Sequence, residues 1–191
     1  MELYDVLLFL HILGVVLLFV AITIETLAGA RIRGAEQAAD IATWAEFEEK
    51  ATGPLHGVST LLLAIPGLWM AAIADLWSAG WVQIGIGVLV LAAGAGIGYI
   101  TPKIKRIAET AAAEGEGAPS QALRELTMAR DLWIIHHAMI GLAMGAIFIM
   151  STMPGMVGSI VAVVVGALVG GVGGMMMTRG RIETPTTTGT A

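Results

Sequence analysis

Five stretches of this sequence are long and apolar enough to cross a lipid bilayer, and none of them contains a lysine or an arginine. They cover residues 6–28, 57–74, 81–100, 132–152 and 155–177. A hydrocarbon core of about 30 Å takes ~20 apolar residues in helical form, because only a helix satisfies its backbone within one segment there. The five stretches make up more than half of the 191 residues, and only 13% of the chain is charged. An ordinary soluble domain carries roughly 25%. The expected fold is therefore all-α: a bundle of five transmembrane helices forming one domain over residues 1–182, with a polar, Thr-rich, disordered tail at 183–191.

The basic residues are one-sided. Arg31, Arg33 and Lys50 lie between the first two spans; Lys103, Lys105, Arg106, Arg124 and Arg130 lie between the third and fourth; Arg179 and Arg181 follow the fifth. The positive-inside rule then puts the N-terminus outside and the C-terminus in the cytoplasm of a bacterial inner membrane. Trp69, Trp77 and Trp81 gather at the outer interface, and Trp133 marks the inner edge of the fourth span. The leader Met1-Glu2-Leu3-Tyr4-Asp5 is acidic, whereas signal peptides start basic; only the small residues Ala28-Gly29-Ala30 favour cleavage, so the first span is expected to stay.

Several function classes drop out. With no cysteine there is no disulfide, thiolate metal site or cysteine nucleophile. A net charge of −5 with no basic face gives nucleic acid nothing to bind. No Ser/His/Asp context, H-E-x-x-H or phosphate-binding loop is present. The partners expected are the bilayer and a second membrane protein or a second copy, the latter through the small-residue spacings of the fifth span, Gly166-Gly170-Gly174; packing within the bundle is the competing use of the same glycines and of Gly94/Gly98 and Gly141/Gly145.

Between the spans, Ile41, Trp44 and Phe47 recur at helical spacing, which predicts a surface helix ending at Gly53-Pro54. Lys103 to Ala113 reads as a second helix, and Ser120 as the N-cap of a third that leads into span four. Pro66-Gly67 should kink span two and loosen carbonyls there.

Ionisable groups in spans are costly, so each is a candidate for function. They are His11, Glu25, His56, His136 and His137. His11 and Glu25 share a face of span one but sit 14 residues apart, about 21 Å, so they serve opposite halves of the membrane. His137 shares a face with Gly141 and Gly145, which points into the bundle; His136, with Met139 and Ile140, is expected to be more exposed. Glu25, His56 and His136 or His137 come near the cytoplasmic ends of their helices, where they can form one polar cluster. The plainer reading makes the histidines interfacial and Glu25 an ion-pair partner of Arg31 and Arg33. Imidazole suits haem iron and copper, so His11 and His137 are the candidate cofactor ligands.

The order of motifs resembles an uncharacterised bacterial integral-membrane family, a domain of unknown function. The motifs are Leu10-His11-Ile12-Leu13-Gly14, Gly53-Pro54-Leu55-His56-Gly57, Pro66-Gly67-Leu68-Trp69-Met70 and Ser151-Thr152-Met153-Pro154-Gly155. That family is distantly similar to copper-resistance D proteins and HemJ-type protoporphyrinogen oxidases, whose first span also opens on a Leu-His-Ile-like motif. The resemblance implies a haem role for His11. The HemJ group also uses a lysine in a later span, and here no span has one. Three functions are open: an accessory or scaffolding subunit of unknown activity, a haem- or copper-binding protein of electron transfer or metal handling, or a small proton-linked transporter.

Overall fold

The computed structural model describes residues 2–179, so the polar tail lies outside the described residues. Seven helices follow one another: α1 (Leu3–Gly34), α2 (Ala38–Ile73), α3 (Gly80–Ala95), α4 (Thr101–Glu114), α5 (Gln121–Thr127), α6 (Arg130–Thr152) and α7 (Met156–Arg179). A π-helical turn at Gly96–Ile100 joins α3 to α4 without a break. Five helical stretches are long and apolar enough to cross a membrane.

Helices α1 and α2 are longer than a membrane requires. Their 32 and 36 residues correspond to roughly 48 and 54 Å. The excess stands at the end of the bundle that carries the basic residues, called here the basic end. There the last turns of α1, the first half of α2, α4, α5 and the start of α6 build a core of their own. It contains Ile32, Ile41, Ala45, Ile104, Ile107, Leu123, Leu132 and Trp133. Within the spans the apolar side chains point outward instead: Phe9 is 64% and Val157 75% exposed on the chain surface. Lipid offers an apolar side chain what a core offers it in water, so burial concentrates where the chain leaves the membrane.

The surface helix expected to stop at Gly53-Pro54 does not stop. It is continuous with span two, and both Pro54 and Pro66 lie inside α2. Each proline removes one backbone N–H, and within a packed or membrane-embedded helix neighbouring groups take up the freed carbonyls. The other cap behaves as expected: the Ser120 hydroxyl accepts from the Leu123 N–H at 3.2 Å. At the opposite end, α6 terminates on Met153 in the left-handed conformation, φ 48°.

The glycine spacings of α6 and α7 face each other. A Cβ on Gly141 would lie 1.9 Å from the Gly166 carbonyl oxygen, and one on Gly170 would lie 2.1 Å from that of His137. Of the two uses open to this stripe, packing within the bundle is the one seen: α6 of the same chain occupies it. Around Gly94 and Gly98 nothing approaches within 4 Å.

Candidate functional site

Glu25 sits on the inward face of α1, about six turns from its start. Its side chain is 14% exposed. One carboxylate oxygen, Oε1, accepts from His56 Nε2 of α2 at 2.6 Å. The other, Oε2, lies 4.0 Å from His136 Nδ1 of α6. One carboxylate thereby meets side chains of two other helices, the neighbouring α2 and the sequence-distant α6. The antiparallel α1/α2 pairing brings Glu25 level with His56, and the first turns of α6 reach α1 through Trp133 and His136.

The exposure expected for the two histidines of α6 is reversed. His136 is the buried one, 4% exposed, because its face turns toward α1 and Glu25 rather than toward lipid. His137 is only half-buried; it faces α7, where a Cβ on Gly174 would lie 3.1 Å from its own Cβ. Its Nδ1–H donates to the Trp133 carbonyl at 2.8 Å, which leaves Nε2 as an acceptor. The Nε2 atoms of both His136 and His137 are buried without a hydrogen-bond partner. The two rings stack edge-on at 5.3 Å, and Trp133 meets His136 the same way at 6.1 Å.

Trp133 anchors the arrangement. Its indole N–H donates to the Thr127 carbonyl at 2.8 Å. The Arg33 guanidinium lies over its ring, 4.1 Å from the centroid. Gly29 makes room for it: a Cβ there would meet the indole at 2.5 Å. Arg31 instead caps Trp44, at 5.6 Å. Basic residues at this end thus shape the site.

Glu48 joins from α2 and was missed as a candidate. It stands about two turns before His56, in the part of α2 beyond the hydrocarbon-length stretch. It is 5% exposed, and its Oε2 has no hydrogen-bond partner. Burial pushes its carboxyl up to about 8; the Glu25 carboxylate adds to this and Arg33 opposes it. The sequence did hold a signal. Glu48, Thr52, His56 and Ser59 follow at helical spacing on one face of α2, a polar line where an apolar stripe would be expected.

His11 stands apart. Its Nδ1–H donates to the Leu63 carbonyl at 3.0 Å, one position beyond the Leu62 carbonyl that Pro66 deprives of its N–H. Gly67 lets the imidazole approach, with His11 atoms 3.0 Å from where a Cβ would stand. Orientation of a histidine by a backbone carbonyl is what metal ligands use, and Nε2 is left as the coordinating atom. His137, however, lies near the opposite membrane face, about 21 Å away along the axis by its proximity to the level of Glu25. The two candidate ligands cannot hold one iron or one copper. The apolar groove between α3, α6 and α7, about 680 Å³ and walled by Val88, Leu142, Val163 and Ala167 among others, has no histidine in its lining. Among the described residues, no three His, Asp or Glu side chains are grouped to hold a metal ion.

A second polar group closes the basic end from the other side. The Tyr99 hydroxyl donates to Asp131 Oδ2 at 2.5 Å and accepts from Lys103 Nζ at 2.9 Å, and Lys103 also pairs with Asp131. These bonds pull Asp131 down to about 2 and hold Lys103 above its usual range. They pin the π-turn to the first turn of α6.

A bundle with five membrane-length helices and a carboxylate–histidine cluster at one end is a polytopic integral membrane protein. Residues 5–154 match the family described as predicted integral membrane protein (DUF2269), and the chain belongs to that family, whose function is unknown. No curated protein and no solved structure matches the chain.

Proposed function

We propose that this chain is a proton-binding accessory subunit of a bacterial inner membrane, with its N-terminus outside and the Glu25–His56–His136 cluster as its working part. One observation carries the reading: Glu25 is held among three helices by His56 at 2.6 Å and faces His136 at 4.0 Å. A carboxylate and two imidazoles at the edge of a membrane can exchange protons near neutral pH, since histidine is the side chain whose ordinary pKa lies there. Their arrival from α1, α2 and α6 makes protonation a change in how the helices are tied. Positive charge at the basic end supports the cytoplasmic placement of the cluster.

The test is a titration of ¹⁵N-labelled histidines in lipid nanodiscs. His56 and His136 should titrate together, and Glu25→Gln should shift both. Independent titration unaffected by Glu25→Gln would remove the reading.

His11 supports a second reading, a single-histidine haem or copper site, because its Nδ1–H is fixed on the Leu63 carbonyl. A reduced-minus-oxidised visible spectrum of protein purified from its native membrane tests it. A Soret band lost in His11→Ala supports haem there; a flat spectrum at full purity removes haem.

A further inference from the structure

A carboxyl oxygen without a partner is the least expected atom in the basic-end core. Glu48 is 5% exposed, yet Oε2 meets no hydrogen-bond donor or acceptor. From α1, Glu25 and Arg33 act on it electrostatically. From α4, the buried residues are Ile104, Ile107 and Ala111. At the start of α6, His136 and His137, which belong to the same end of the bundle, each carry a buried nitrogen without a hydrogen-bond partner. Its own helix continues the polar line toward the membrane: Thr52 is 5% and Ser59 0% exposed. The Thr52 hydroxyl donates to the Glu48 carbonyl at 2.8 Å and that of Ser59 to the His56 carbonyl at 3.1 Å, so each oxygen keeps its acceptor capacity. Polar atoms buried in this way are the usual hosts of ordered water.

We propose that Glu48 is the proton-exchange group of the Glu25–His56–His136 cluster, carrying protons between the aqueous phase at the basic end and Glu25 over a bridging water. The inference rests on the proton-binding reading of that cluster. In the step, the Glu48 O–H bond breaks as its proton passes to the water, and the water releases another proton to a Glu25 oxygen. Glu48 is left as a carboxylate facing Arg33, and a proton from bulk water restores it. Nothing is oxidised or reduced. Glu48 suits the task by position: it is outside the hydrocarbon, on the cluster's side of α2, and neutral at pH values where a surface glutamate is charged.

The experiment follows exchange of the His56 ring Nε2–H with water by ¹⁵N-edited saturation transfer, on the full chain in nanodiscs of neutral lipid. Glu48→Gln cannot ionise and should slow the exchange by at least about tenfold, the lower reach of acid–base assistance. Glu48→Asp, which keeps a carboxyl, should recover most of the rate. In the wild type the rate should follow a single step with a midpoint near 8, a reading that does not depend on either variant folding. Wild-type exchange in a folded Glu48→Gln protein, or a rate with no step near that pH, would overturn the proposal. Failure of the cluster reading has a separate signature: His56 would then titrate indifferently to Glu25→Gln, whatever Glu48 does.

Discussion

Gly141→Ala should weaken the α6–α7 pair more than any other single methyl added in the spans. The added Cβ would stand 1.9 Å from the Gly166 carbonyl oxygen and 2.7 Å from its carbon. Contacts of a Cβ under 3.0 Å are essentially never seen, so the helices must part by more than 1 Å there. Both colliding atoms are backbone, and neither can swing away as a long side chain could. A gap of 0.5–1 Å already forfeits a quarter to a half of each dispersion contact along the seam. Overpacking of this kind costs about 1–3 kcal/mol, and rigid backbone on both sides puts Gly141→Ala near the upper figure. Between membrane helices no hydrophobic drive compensates. Gly87→Ala is the control, since nothing stands within 4 Å of its Cβ; it should be neutral or gain up to ~1 kcal/mol of helix propensity. Reversible unfolding in mixed micelles, or steric trapping in bicelles, measures both. A Gly141→Ala protein as stable as Gly87→Ala would refute the packing argument.

Three further outcomes are expected. Glu25→Ala removes the acceptor of His56 at 2.6 Å and should cost about 0.5–1.5 kcal/mol, the net worth of a hydrogen bond whose donor, 37% exposed, can turn to other partners; Glu25→Gln should cost less, because its amide oxygen still accepts. Glu48 binds its proton more tightly when folded, so its contribution is complete below the ordinary carboxyl pKa of 4.5 and is lost as pH rises through about 8. Unfolding midpoints should therefore fall between pH 5 and 9, and Glu48→Gln should flatten that fall; an unchanged slope would show that Glu48 is not its source. Gly67→Ala presses a methyl onto the His11 imidazole at 3.0 Å and should displace it from the Leu63 carbonyl, seen as a shift of the His11 ring resonances with those of His56 left in place.

The site makes sense of the basic end as more than a topology signal. Arg33 covers Trp133, Trp133 stacks on His136, and His136 faces Glu25. Helices α4 and α5, the part of the chain least apolar, shield this sequence of contacts from water. Lys103, Tyr99 and Asp131 fix α6 to the π-turn and so hold the histidine pair at a constant depth.

Sequence alone determined the number of the spans, their one-sided charge and the short list of ionisable residues within them. Those are properties of a solvent: a bilayer sorts residues by polarity along the chain, and that order can be read without knowing any contact. Even the Ser120 cap was legible, because capping involves only neighbours. Tertiary structure decided what no linear pattern encodes. Helix α2 runs through Gly53-Pro54 because packing at the basic end outweighs the break that proline signals. His136 rather than His137 turns toward Glu25, since the glycine stripes of α6 and α7 fix the rotation of α6 about its axis. Glu48 reads in the sequence as one more charge on a solvated surface helix. Only tertiary packing at the basic end, where α4 lies against α2, takes the water away.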